Sequence, residues 1–385
     1  MVTKRHLTDA EQVLSSALAA LGEGEDEPVL RGLLWQMRAK IALEAGWDRQ
    51  ARVALDRAED YLRSGLAGDH AFLAGLAADR AMEMANTGNI KGIDQLLAGG
   101  AFLTGNTPPG ASLNSMVVNL SQCAGPEAII EASQAKAVAE AAGGSGQLAF
   151  DYAAGAAWVA ANSFGERSAP ALRAQLFALE MQLEYGDLPP DLKMARGPLQ
   201  FSALGAAIRP PMKLTPLTVN PSQAGAAIET ARDALAKDDP GRVLAARAVA
   251  RSLLLLGRPR EAQSRAEEAV ALARSVYGAG HPEVAKAQLV EGNIAAALHN
   301  PAAAQNALVA ALASFEAAYG ATSPDVNQVL IVAMAVSMPQ VLAHAWLALG
   351  DGQKANSRIY SVNGRAPVLL IFDRLTDRAR VPARL

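Results

Sequence analysis

The sequence predicts an all-α protein, an α-solenoid of antiparallel helix pairs with a short extended segment at its C-terminal end. Three observations carry the prediction. Tyr277-Gly-Ala-Gly-His-Pro-Glu-Val284 recurs as Tyr319-Gly-Ala-Thr-Ser-Pro-Asp-Val326, and Gly257-Arg-Pro-Arg-Glu-Ala262 recurs loosely as His299-Asn-Pro-Ala-Ala-Ala304. Both pairs are offset by 42 (319 − 277 and 299 − 257). At such a period one supersecondary unit cannot bury its own apolar face and must stack on its neighbours. Inside the unit, Ala250, Gly257, Ala262, Ala266 and Ala269 place small residues where two antiparallel helices and the next pair come close. Finally, 51% hydrophobic residues with only 5% aromatics make the apolar content mostly Ala, Leu and Val, which suits helix-on-helix packing.

Taken in order, residues 8–21 read as a helix capped by Thr8 or Asp9, with Leu14, Leu18 and Leu21 on one face. Its spacing is that of a second helix with no first helix before it, so the chain is expected to open on a capping helix or in mid-unit. An acidic turn, 22–28, ends it. Trp35, Ala39, Gly46, Ala51, Leu55 and Ala58 then repeat the small-residue pattern, and Ala81, Gly88, Ile93 and Leu97 repeat it again at an offset of 42 (88 − 46). His70 follows Gly46 by 24 residues, as His281 follows Gly257. Residues 1–100 therefore form an N-terminal repeat block.

Register is lost in 101–187, a degenerate helical segment. Residues 101–126 read as an irregular connector, and 126–142, 147–162 and 169–185 have helical apolar spacing. Seven prolines between Pro189 and Pro221 make 188–221 a linker or extended strap. A lone second helix, 222–235, opens the C-terminal block, 222–360. After the two copies, helices are expected over 327–337 and 340–349, with a short one through Ala355 and Ile359. In the last segment, 361–385, Val368-Leu-Leu-Ile-Phe372 is β-prone, followed by a basic tail with Arg374, Arg378, Arg380 and Arg384. That strand is expected to dock on the last helix as a cap or to pair with a partner.

The places of Ala250, Gly257, Ala262, Ala266 and Ala269, with the Tyr-Gly-x-x-His-Pro connector, resemble the tetratricopeptide repeat in its longer, 42-residue form, as in kinesin light chain. The resemblance implies a scaffold whose inner helices line a concave groove. Counting from Gly257, it places Leu244, Arg247, Arg251, Leu254 and Leu255 toward that groove. Counting from His299, it places Lys286, Leu289, Asn293, Ala296 and Ala297 there. The candidate peptide-binding residues are thus Arg247, Arg251, Leu254, Lys286, Leu289 and Asn293. Arg247 and Arg251 lie four apart on one helical face, and three cations with an amide suit a carboxylate. This is similar to the carboxylate-clamp version of the family, with the clamp positions partly matched. In the alternative, Arg247 and Arg251 pair with local acids such as Glu261 on a solvated face. The same count in the N-terminal block yields a more neutral surface: Leu33, Gln36, Lys40, Leu43 and Glu44, then Gly75, Ala78, Met82, Ala85 and Asn86.

Other classes are disfavoured. A net charge of −3 provides no basic field for nucleic acid. The single cysteine, Cys123, excludes an internal disulfide and has no context that would activate a thiolate. The start lacks an apolar signal core, so the cytoplasm is the expected location. Residues 326–350 carry no Asp, Glu, Lys or Arg, but Asn327, Gln328, Ser337, Pro339, Gln340 and His344 interrupt them and argue against a membrane span. The five histidines have no metal-ligand spacing, and no phosphate loop or nucleophile elbow is present. The expected function is a non-catalytic scaffold, without cofactor or metal, for a protein or peptide segment that is acidic or ends in a free carboxylate. The rival readings are a regulatory or sensor module of a longer chain and, more weakly, an enzyme sited in 101–221.

Overall fold

A computed structural model describes residues 4–21, 27–67, 70–89, 92–93, 96–97, 125–143, 145–185, 220–333 and 336. Among them every regular element is helical. The helices are α1 (Lys4–Ala20), α2 (Pro28–Glu44), α3 (Asp48–Gly65), α4 (Ala71–Thr87), α5 (Pro126–Ala142), α6 (Gly146–Phe164), α7 (Ala169–Tyr185), α8 (Pro221–Ala234), α9 (Gly241–Leu255), α10 (Pro259–Tyr277), α11 (Pro282–Ala297) and α12 (Pro301–Tyr319). A further helical run covers 324–333.

Local chemistry explains where these helices begin and end. Proline occupies the first turn of α2, α5, α8, α10, α11 and α12, where its missing N–H costs nothing and its φ suits the helix. Side-chain caps satisfy orphan amides: Asn220 accepts from the Gln223 N–H at 3.2 Å, Asn300 from Ala303 at 3.2 Å and His281 Nδ1 from Glu283 at 3.1 Å. Gly46, Gly88 and Gly257 end inner helices at φ of 69°, 86° and 72°, a region that glycine enters without steric cost. His299 occupies the same place at φ 57°.

Consecutive helices pack into an array. α2 lies on α3, α4 on α5, α5 on α6, α6 on α7, α9 on α10, and α11 on both α10 and α12. The alanines at repeat positions do what their size predicts: Ala262, Ala266 and Ala269 on α10 and Ala304 and Ala311 on α12 are all fully buried. α8 is not alone, as its spacing suggested. It packs on α7 and α9, where Leu172, Leu176 and Leu183 of α7 share one cluster with Ile228 of α8 and Ala245, Ala248 and Val249 of α9. Burying a side chain such as Ile228 stabilises by roughly 1.5–3 kcal/mol. The described helices on either side of the proline-rich segment are thus joined by a common core.

Two boundaries differ from expectation. α1 begins at Lys4, before the proposed cap at Thr8 or Asp9, and packs on α2. α8 begins one residue early, at Pro221, under an Asn220 cap that the proline count had hidden. The connector 101–124, the strap 188–219, the helices expected over 340–349 and at Ala355 to Ile359, and the Val368–Phe372 strand lie outside the described residues.

Close helix approach at Ala269 makes a size test. Ala269→Leu is expected to overpack the α9–α10–α11 contact and lower stability by about 1–3 kcal/mol. Arg260→Ala, on the exposed side of the same helix, is expected to change it by less than about 0.5 kcal/mol. Urea denaturation of the two variants distinguishes them, and equal losses would contradict the assigned packing face.

Candidate functional site

The inner helices carry a connected set of buried charges. On α9, Arg247 is only 4% exposed. Its Nε and Nη2 donate to the two carboxylate oxygens of Glu180 on α7 at 2.6 and 2.8 Å, and its Nη1 donates to Glu283 on α11 at 2.6 Å. Glu283 also accepts from Lys286 Nζ at 2.9 Å. One turn along, Arg251 donates to Glu184, which also accepts from Gln328 of the 324–333 helix. A single guanidinium therefore ties three inner helices together, and a second layer repeats the arrangement.

The electrostatics follow from burial and partners. Burial opposes the charge on Arg247 and Lys286, yet the facing carboxylates, Glu180 and Glu283 for the arginine and Glu283 for the lysine, outweigh it and hold both cationic. Burial likewise opposes the charge on Glu283, but Lys286 and Arg247 hold it well below the usual carboxylate range. Asp325 goes the other way, raised by burial and by Glu184 and Glu283 against the pull of Lys286.

A similar network lines the N-terminal inner helices. Lys40 Nζ on α2 donates to both oxygens of Glu131 on α5 at 2.9 Å and lies 3.0 Å from Asp79 on α4, which also accepts from Gln36 at 2.8 Å. Burial and the Asp79 charge push the Glu131 carboxyl up to about 7. At the start of α3, Asp48 is completely buried and accepts from Asn86 at 2.9 Å, while its second oxygen has no hydrogen-bond partner among the described residues. Burial, with a smaller push from Glu83, raises its carboxyl to about 7 against the Asn86 bond.

The six predicted binding residues divide clearly. Arg247, Arg251 and Lys286 do converge, and they meet carboxylates of this chain. The acids are Glu180, Glu184 and Glu283, whereas Glu261 pairs with Arg258 on the exposed start of α10. Lys286 keeps 32% of its side chain exposed and Arg251 14%. Asn293 is half-buried with an enclosed Oδ1 that lacks a hydrogen-bond partner among the described residues. Leu289, 3% exposed, sits in the core with Phe315 and Val329 rather than in a groove, because its turn of α11 faces α12. Leu254 is partly buried against Ala250, Val290 and Ile294. Glu180 and Glu184 were missed because 101–187 has no readable register. One signal was available: Glu180 and Glu184 are four apart, as Arg247 and Arg251 are, so two i, i+4 rows of opposite sign match.

Two stability tests follow from this geometry. Arg247→Met strands the buried Glu180 carboxylate and is expected to cost about 3–5 kcal/mol, with most of the loss recovered when Glu180→Met is added. Chemical denaturation of the single and double variants checks it, and additive losses would contradict the pairing. The raised Asp48 carboxyl contributes stability that is present below about pH 4 and lost as pH climbs toward 7. Asp48→Asn should remove that dependence and be the more stable form at pH 8 by about 2–4 kcal/mol. Parallel pH–stability curves for the two proteins would contradict it.

Among solved structures, the chain is similar to a Rap protein crystallised in complex with competence and sporulation factor, at 13% identity and a TM-score of 0.47, over 84% of this chain and 74% of that one. No curated protein matches it in sequence. The tetratricopeptide repeat family model matches residues 241–317, which span α9 to α12 apart from the last two residues of α12. The match to the tetratricopeptide repeat thus covers α9 to α12.

Proposed function

We propose that this chain is a non-catalytic scaffold that takes up a protein or peptide segment along the inner helices of its C-terminal repeats, with a preference for an acidic segment or a free C-terminal carboxylate. The observation that carries this reading is the graded exposure of one cationic row. Arg247 is buried and fully occupied, Arg251 is mostly buried, and Lys286 is a third exposed beside the half-buried amide of Asn293. Arg247 thus acts as a fixed pin that orients α9 and α11, and Lys286 with Asn293 forms the part of the row a ligand reaches.

That this row accepts carboxylates is supported by the ones it already holds. Glu283 shares its two oxygens between Arg247 and Lys286, so an incoming carboxylate at Lys286 leaves Glu283 its bond to Arg247. Exchange at this position costs little, whereas displacing Glu180 would break a bidentate, desolvated pair. The ligand contact therefore belongs at Lys286.

An immobilised set of short peptides, acidic with a free C-terminus, the same sequences amidated, and basic controls, tests the proposal. Acidic free-carboxylate peptides are expected to bind best, with affinity falling as salt rises because Lys286 is partly exposed. Lys286→Glu should weaken them by at least about tenfold while circular dichroism stays unchanged. Equal binding of all three peptide classes, or full affinity in a folded Lys286→Glu variant, would contradict the assignment.

A further inference from the structure

The C-terminal end of each N-terminal inner helix meets a connector of the C-terminal block. At the end of α2, the Glu44 carbonyl lies 2.8 Å from His281 Nε2. The other ring nitrogen, Nδ1, already accepts from the Glu283 N–H, so Nε2 carries the proton and donates. At the end of α4, the Thr87 carbonyl accepts from Thr322 Oγ1 at 3.0 Å. These are carbonyls that a helix end leaves without an internal partner. The prolines repeat the correspondence, since Pro282 covers Gly46 and Pro324 stands over Gly88. Both pairs of contact points are separated by 42 (88 − 46 and 324 − 282), so one repeat pitch docks on an equal pitch and the array closes on itself.

Glycine is required there for a reason beyond its φ. A Cβ at Gly46 would lie 2.3 Å from Pro282 Cδ, and one at Gly88 would lie 2.4 Å from the Thr322 carbonyl oxygen. At Gly257, which ends an inner helix at nearly the same φ, a Cβ would meet nothing within 4 Å. The seam also lacks a shared apolar core. Among the described residues, no hydrophobic cluster combines side chains of the N-terminal block with side chains of the C-terminal block, whereas α7, α8 and α9 share one. Two hydrogen bonds at exposed positions, two proline contacts and a small α3–α12 contact make up this seam among the described residues, and they can separate without unfolding any helix pair.

We infer that the His281–Pro282 and Thr322–Pro324 turns form a two-point latch that closes the array, and that releasing it opens the inner helices to a ligand segment. The second half rests on the proposed function above. The first half stands on the seam geometry alone.

The test uses the full chain and no peptide. Gly46→Ala with Gly88→Ala should break both docking points, and Gly257→Ala is the control that carries the same φ strain without a seam contact. Small-angle scattering should show a larger radius of gyration for the double variant, and amide exchange in the 278–284 and 320–326 turns should accelerate by about tenfold or more. In a Cys123→Ser background, maleimide labelling of Asn293→Cys should also be about tenfold faster when the latch is broken. The control should match the parent in all three. If the glycine variant loses helicity, His281→Asn with Thr322→Val removes the two seam hydrogen bonds while keeping a side-chain acceptor to cap α11, and decides the matter. Wild-type radius and exchange in a folded latch variant would overturn the closure. A larger radius with unchanged labelling would overturn the gating of the inner face.

Discussion

The Arg247 guanidinium is the constraint on which the rest of the array depends. It is desolvated, so it must be fully paired, and its partners come from α7 and α11 on either side of α9. Bidentate pairing fixes direction as well as distance. Once Glu180 is held by Arg247, α7 has one place beside α9, and the cluster of Leu172, Leu176, Ile228 and Val249 forms under it. A segment without any sequence period is thereby brought into the same array as the repeats. Packing of small residues decides how closely helices approach, and the buried ion pair decides which helices approach.

Much of the fold was legible because it depends on short-range chemistry. Glycine after inner helices and alanine at close approaches act within one unit and were found where the spacing placed them, whereas the Asn and His caps and first-turn prolines are equally local but the spacing alone assigned them no such role. The helices 126–142, 147–162 and 169–185 were also visible from apolar spacing, and the observed spans differ by two residues at most. The candidate site was legible only by half. Repeat register pointed to Arg247, Arg251 and Lys286, but a register assigns a side chain to a helix face and says nothing of what stands opposite. What stands opposite Arg247 and Arg251 lies 67 residues earlier, across the proline-rich segment. Leu289 shows the converse failure: a nominal groove position becomes core because the helix run 324–333 covers that side with Val326 and Val329.

The inner side of this array is polar at a depth where polar groups need partners. Acids outnumber bases within it. Asp325 is raised by burial and by Glu184 and Glu283, and Glu131 by burial and by Asp79. Each of these is a carboxylate held close to another carboxylate, and each favours the array less as pH rises. The cations are the scarcer component and hold the acids together in layers. A row of this kind contributes more to the choice of helix neighbours than to net stability, because the desolvation of every ion offsets much of its attraction.

The connectors show how one motif serves two scales. Tyr277 stacks on His281 with ring centroids 4.3 Å apart, and His281 caps α11 through Nδ1. Those two contacts are local, and they are sufficient reason for a Tyr-Gly-x-x-His-Pro turn at the start of an inner helix. Capping through Nδ1 leaves the proton on Nε2, which points away from α11 and reaches the Glu44 carbonyl. The local role therefore determines the long-range one: the tautomer that starts α11 is the tautomer able to satisfy the end of α2. Thr322 does the equivalent for α4 with a hydroxyl, while the neighbouring Ser323 takes over the cap by accepting from the Asp325 N–H at 3.3 Å. One turn combines both tasks in a single imidazole and its copy divides them between two residues, so the shared pitch of the two blocks survives a change of chemistry at the seam.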